Sequence, residues 1–199
     1  MAKKQKPVTK IIAGKYKGKI LDLPDLDVTR SSKSILKESF FNVVQYDVID
    51  TIFIEAFGGS GSIGLEAISR GAAQAHFIEI DNKSYRTLQS NCQKVQPESC
   101  TTVFGDTFKK LPEVLTHYKN SKSPIILYID PPFDFREDME DIYADCFDMV
   151  EAIENDNIQL VTFEYATGLE MPHKLGKFTL FKTKKFGKSS LSYYHIEEE

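Results

Sequence analysis

TIFIEAFGGSGSIGLEAISR, residues 51–70, changes its period halfway along. Thr51–Ala56 is a short run rich in β-branched and apolar residues and reads as a strand; from about Ile63 to Arg70 the apolar positions follow a helix. The glycine turn between them lets the backbone pass close to a ligand. The start of the helix adds unpaired N–H groups and the positive end of its dipole. Gly59-x-Gly61-x-x-Gly64 also has the spacing of the dinucleotide-binding fingerprint. A plain tight turn has the same appearance, so its meaning depends on what surrounds it.

Outward from this unit the pattern repeats. Ala75–Ile80 is a second strand, with a helix from about Lys83 to Val95. Thr101–Phe104 is a short third strand before a helix from Phe108 to about Tyr118. Pro124–Asp130 (PIILYID) is continuously apolar and reads as a buried strand. A long acidic helix, Glu137–Ile153, carries Met139, Ile142, Phe147 and Val150 on one face, and Ile158–Tyr165 is a fifth strand. Strands alternating with helices imply an α/β fold with a parallel, doubly wound sheet. The ends differ. Lys177–Lys185 and Leu191–Ile196 alternate in polarity around FGKSS and predict an antiparallel C-terminal hairpin. Lys10–Leu23 predicts a basic hairpin around Gly14–Gly18. Ser31–Val44 predicts a helix with Ile35, Leu36, Ser39, Phe40 and Val43 inward, Phe40 and Phe41 being core and rim.

Composition narrows the function classes. With 199 residues, 41% hydrophobic and 27% charged, the chain reads as an ordinary globular protein, not a disordered or fibrous one. No apolar run reaches about 18 residues and MAKKQKPVTK has no signal-like apolar stretch, so a cytoplasmic protein is expected. Three cysteines, Cys92, Cys100 and Cys146, fit a reducing compartment. His76, His117, His173 and His195 have no metal-ligand spacing, and no metal is expected. Charge is unevenly spread: residues 1–42 carry +6, residues 43–171 carry −13 and residues 172–196 carry +6. Ten acids between Asp134 and Asp156 read as a solvated outer helix face. The basic ends read either as a lysine coat or as a grip on an anionic partner.

The candidate chemistry lies where strands end. Glu79 closes the second strand, twenty residues after Gly59, where a carboxylate accepts the hydroxyls of a cofactor ribose. Asp106, just past the third strand, either accepts from an adenine amino group or caps the following helix. The fourth strand ends Asp130-Pro131-Pro132-Phe133. Two prolines cannot continue a ladder, so they fix the exit path and the Pro131 carbonyl. Asp130 and that carbonyl are two acceptors for the hydrogens of a planar amine, with Phe133 as a stacking face.

This combination of glycine turn and D-P-P-F resembles the class I S-adenosylmethionine-dependent amino-methyltransferases. Ile11-Ile12-Ala13-Gly14-Lys15-Tyr16-Lys17-Gly18-Lys19, Thr29-Arg30-Ser31-Ser32, Lys37-Glu38-Ser39-Phe40-Phe41-Asn42 and Gly64–Ala72 make the resemblance specific: they are similar to the RsmD family, which methylates N2 of one guanine in bacterial 16S rRNA. The resemblance spans nearly the whole chain. It implies a Rossmann-like methyltransferase domain at 46–199 and an RNA-binding extension at 1–45. It places Glu55, Phe57, Gly58, Gly59, Ser60 and Gly61 around the methionine part of S-adenosylmethionine, Glu79 with Ile80 at the ribose, and Asp106 with Thr107 near adenine. It places Asp130, Pro131, Pro132 and Phe133 around the target base. The family usually has Asp at position 55, Ala at 58, and a different set at Ser31, Ser32, Ser34 and Ile35. Lys10, Lys15, Lys17, Lys19, Arg30, Lys33 and Lys37 are the candidates for RNA phosphate contact. Lys182, Lys184, Lys185 and Lys188 offer a second grip. The expected partner is 16S rRNA in a small ribosomal subunit.

Three other readings compete. One is an amino-methyltransferase for DNA adenine or a ribosomal protein. Another is a nicotinamide-dependent oxidoreductase, which leaves D-P-P-F without a role. The third is a non-catalytic assembly factor, which intact Asp130 and Gly61 disfavour.

Overall fold

The computed structural model describes residues 7–24, 30–132 and 139–197. Each apolar run of the middle region forms a strand. They are β3 (Ile52–Glu55), β4 (Gln74–Glu79), β5 (Cys100–Phe104), β6 (Ile125–Ile129) and β7 (Ile158–Ala166), numbered after β1 (Val8–Lys10) and β2 (Ile20–Asp22) of the N-terminal arm. The helices are α1 (Arg30–Val43), α2 (Ser62–Ser69), α3 (Asn82–Val95), α4 (Thr107–His117) and α5 (Met139–Glu151). A two-residue strand β8 (Lys174–Leu175) precedes β9 (Phe178–Phe186) and β10 (Ser189–Ile196).

Eight strands form one sheet in the order β5-β4-β3-β6-β7-β10-β9-β8. The first five are parallel, and β10 pairs antiparallel with both β7 and β9. The order reverses between β3 and β6, so the crevice outside their carboxyl ends is the place where such sheets bind ligands. Helices cover both faces. On one, Phe40, Phe41 and Val44 of and after α1 join Leu65 and Ile68 of α2 and Leu88 of α3; on the other, Leu111 and Leu115 of α4 meet Tyr143, Cys146 and Val150 of α5.

Three expectations need correction. In α1, Ile35 is 60% exposed, whereas Leu36, Lys37, Phe40 and Phe41 are buried. The two adjacent aromatics set the phase. Burying each contributes about 1.5–3 kcal/mol, so the helix turns to centre the buried arc between them. Phe41 is therefore core, not rim, and Phe40 stacks on Tyr193 at 6.3 Å with nearly parallel rings. In the N-terminal arm the ladder is only Val8–Lys10 against Ile20–Asp22, and residues 11–19 form a folded loop packed on α2. The C-terminal strands are longer than expected, with the turn between them reduced to Gly187-Lys188.

Candidate functional site

The parallel strands end level with one another. The Ala56 amide donates to the Tyr128 carbonyl (2.9 Å), Gly58 N–H to Ile78 O (2.7 Å) and Gly105 N–H to Glu79 O (3.0 Å). These bonds bring the exits of β3, β4, β5 and β6 to one edge. Gly64, in the first turn of α2, allows the helix to lie against the sheet: a Cβ there would stand 2.4 Å from the Phe77 ring. Gly59 is different, because a Cβ there would meet nothing within 4 Å, and the turn leaves an open cradle.

Two carboxyls frame this cradle. Glu79, half-buried, accepts from Gly59 N–H (2.7 Å) and Asp81 N–H (2.6 Å), one bond to each oxygen. Each oxygen keeps a further lone pair for a ligand hydroxyl. Burial holds its pKa above the ordinary carboxylate value despite these bonds. Glu55 is buried, and its Oε2 accepts from Gly64 N–H at 2.8 Å. Burial first, and then the charge of Asp130, push its pKa up to about 8. At neutral pH Glu55 is therefore mostly a neutral carboxyl, able to donate as well as accept a hydrogen bond.

The other expected residues fall as follows. Phe57 is half-buried and packs edge-on to Phe108 at 6.1 Å. Gly58, Ser60 and Gly61 are buried parts of the turn, with the Ser60 carbonyl accepting from Asn91 (2.8 Å), while Ile80 is 64% exposed at the rim. Asp106 caps α4, its Oδ1 accepting from Phe108 N–H at 3.1 Å. Thr107 is buried and its hydroxyl donates to the Ala56 carbonyl, which pins α4 to the β3 exit. Asp130 follows β6, half-buried and close enough to raise the pKa of Glu55, with Pro131 buried and Pro132 exposed. Phe133 lies outside the described residues.

The basic residues separate. Lys10, Lys15, Lys17 and Lys19 are exposed. Arg30 and Lys33 fall in the first turns of α1, and their side chains lie outside the described residues. Lys37 is not a surface cation: at 3% exposure it donates to the Lys10 carbonyl (3.0 Å) and pairs with Glu66 (3.4 Å). Burial lowers its pKa, only partly opposed by Glu66.

Glu66 was not singled out from the sequence. Fully buried in α2, it accepts from Ile12 N–H (2.7 Å), Ala13 N–H (3.0 Å) and Arg70 Nε (2.8 Å) besides Lys37. It fastens the N-terminal arm and α1 to the helix that begins at the glycine turn. One acid among Leu65, Ala67 and Ile68, on a helix buried all round, was the available signal.

Among the described residues, no group of three or more His, Cys, Asp or Glu could hold a metal ion, and no helix is long and apolar enough to cross a membrane.

A family model described as "Conserved hypothetical protein 95" matches residues 9–195. The Ribosomal RNA small subunit methyltransferase D of Escherichia coli K12 is 31% identical over 124 residues, 62% of this chain and 60% of that protein. The Putative rRNA methyltransferase YlbH of Bacillus subtilis is 23% identical over 185 residues, 93% of this chain and 97% of that one. The matched region thus spans about 60% of the length of the first of these relatives. Among solved structures, a putative methyltransferase from Escherichia coli superposes with a TM-score of 0.74 at 24% identity, covering 97% of this chain and all of that one. At that identity the likeness concerns the fold, which is the class I methyltransferase sheet with its antiparallel C-terminal hairpin.

Proposed function

The chain belongs to the RsmD family, and from that membership and the geometry of the carboxyl edge we propose that it transfers a methyl group from S-adenosylmethionine to the exocyclic N2 amine of a guanine in 16S rRNA of the small ribosomal subunit. The observation that carries this reading is the convergence of three exits at the sheet's switch point: the glycine turn after β3, Glu79 at the end of β4, and Asp130-Pro131-Pro132 after β6.

The residues fit the cofactor. The open cradle at Gly59, with Glu55, Phe57 and the turn through Gly61, suits its methionine end; Glu79 suits the ribose hydroxyls; exposed Ile80 and the capping carboxylate of Asp106 suit the adenine side. When bound, the cofactor supplies an electrophilic sulfonium methyl group.

The chain's own part is to hold the amine. The N2 lone pair of guanine is conjugated with the ring, and the nitrogen must lose planarity to attack. Asp130 and the Pro131 carbonyl accept from the amine hydrogens and favour the tetrahedral, partly positive nitrogen. No strong base is needed, because the N–H becomes acidic as the new bond forms, and Asp130 is there to accept it. Guanine suits this carboxylate because N1–H and N2–H₂ lie side by side and match its two oxygens. The base must leave its stack to reach the pocket, which costs a few kcal/mol. Much of the acceleration is positional, for which up to ~7–11 kcal/mol is available.

The test is incubation with labelled adenosylmethionine and small subunits from cells lacking this methylation, followed by nucleoside analysis. The expected product is one N2-methylguanosine, lost in Asp130→Ala while cofactor binding persists. Label in N6-methyladenosine would overturn the guanine assignment. Cofactor binding without any labelled nucleoside would overturn rRNA as substrate.

A further inference from the structure

Within that reading, the structure also separates the basic segments by edge. The tip of the N-terminal arm sits at the amino edge of the sheet. Lys15 N–H donates to Ser69 O at 2.7 Å at the end of α2, the Tyr16 hydroxyl to Gln96 at 2.6 Å just past α3, and Lys19 Nζ to the Lys94 carbonyl. Those helix ends lead back into the starts of β4 and β5, as the Ala73 N–H bond to Thr51 O (2.9 Å) marks. Lys15 and Lys19 also lie over the Tyr16 ring, 5.0 and 5.3 Å from its centre. The arm tip is therefore about a strand length, roughly 15 Å, from the carboxyl edge where Asp130 stands.

The β9–β10 turn occupies the opposite position. Ile129 pairs with Phe163, so Asp130 is level with Glu164, which pairs with Leu191, which pairs with Lys184. With strands about 4.8 Å apart, β10 lies about 10 Å and β9 about 14 Å to the side of Asp130. Both strands continue past that level through Ser190 and Lys185 to Gly187 and Lys188, rising above the edge as a wall to the side of Asp130. The wall is tied to the β7 exit: Thr167 N–H donates to Lys188 O at 2.9 Å, and the Thr167 and Ser190 hydroxyls are bonded at 2.8 Å. Tyr143 of α5 lies near both Asp130 and the backbone of Ala166, which links the β7 exit to Asp130.

The hairpin's lysines also divide. Lys177 is paired with Asp156 at 2.8 Å, and Lys184 turns to the α1 face and bonds Ser39 at 3.1 Å. Lys185 points to the other face, and both Lys185 and Lys188 are exposed with no ion pair among the described residues. Exposed ammonium groups on a fixed turn, with the hydroxyl of Thr167 beside them, are the elements of a phosphate contact that positions a nucleic acid without reading its sequence.

We infer that the β9–β10 turn, through Lys185 and Lys188 with Thr167 at its base, holds the RNA phosphates flanking the flipped guanine, and that the arm tip does not. This rests on the activity proposed above.

The experiment compares K185A/K188A and K15A/K17A/K19A with the wild type. It measures binding of unmethylated 16S rRNA across a salt series, KM for small subunits, and the dissociation constant for adenosylmethionine. The expected result for K185A/K188A is a log–log salt slope shallower by about 1.4, two contacts at ~0.7 each, with KM raised about tenfold and cofactor affinity unchanged. A slope and KM equal to wild type in K185A/K188A overturn the inference, as does a loss confined to K15A/K17A/K19A. If K185A/K188A shows the expected slope difference from wild type but the wild type methylates no subunit, the activity fails and the contact stands.

Discussion

Replacing Glu66 by Gln tests whether the buried junction between α2 and the N-terminal arm is held by charge. The carboxylate is fully buried and serves two backbone donors, the Arg70 guanidinium and the Lys37 ammonium. Gln is nearly isosteric but has one acceptor oxygen, and its NH₂ would face one of these donors. Removing one partner of a buried ion pair costs about 3–5 kcal/mol, because the remaining charge stays desolvated. At about 2–4 °C per kcal/mol for a chain of this size, the melting temperature should fall by ~6–20 °C. The sign of the pH dependence makes the test sharper. Burial already lowers the pKa of Lys37, and Glu66 opposes that shift. Without Glu66, the folded-state pKa of Lys37 drops further below its unfolded value of 10.5, and the unfolded chain binds more protons across that window. The variant therefore regains stability as pH rises towards 10.5, and its deficit against wild type is smaller at pH 10.5 than at pH 7. Denaturant unfolding at both pH values measures this. A deficit below about 1 kcal/mol, or one that does not change with pH, would refute charge as the fastening.

Other outcomes follow from single features. Gly14→Ala, at φ +83° and with a Cβ placed 1.8 Å from the Ser69 carbonyl, should detach the arm loop; amide exchange at Lys15 and Tyr16 should rise sharply while far-UV circular dichroism stays near wild type. Glu79→Gln removes the acceptor proposed for the ribose and should weaken adenosylmethionine binding about 10- to 100-fold by calorimetry, in line with ~1.5–3 kcal/mol for such bonds. Glu55, with its folded pKa raised to about 8, binds its proton more tightly in the folded state. Its contribution to stability is full below about pH 4.5 and is lost as pH rises towards 8. Glu55→Gln should flatten that part of the stability–pH curve, and an unchanged slope would show that Glu55 ionises normally.

The parallel half of the sheet was legible because its strands are continuous apolar runs and its helices have clear faces. The alternation of strands and helices implied the parallel sheet, though not its strand order, and residues ending strands, such as Glu79 and Asp130, fall at one edge by the geometry of such a sheet. What could not be read depends on long-range contacts. Lys37 looks like any surface lysine until Glu66, 29 positions on, is folded beneath it. The direction of the arm is set by bonds to partners 53 to 80 residues away, so a basic hairpin could be recognised but not placed on an edge. Ile35 and Phe41 were misplaced because a helix with apolar residues on several sides has no unique phase until its partners, here Phe53, Tyr128 and Tyr193, are known.

The position of β10 between β7 and β9 matters for how the protein is made. During synthesis this strand is the last of the eight described to leave the ribosome, yet it lies in the sheet's interior, carrying Leu191, Tyr193 and Tyr194 fully buried. Until it emerges, β7 offers an open edge and the facing aromatics of both cores lack their cover. A nascent chain stalled before residue 189, or one shortened by a premature stop, would present that edge to other chains and behave as a substrate for chaperones and proteases. Pairing of β10 with β7 and β9 closes that edge and covers both cores.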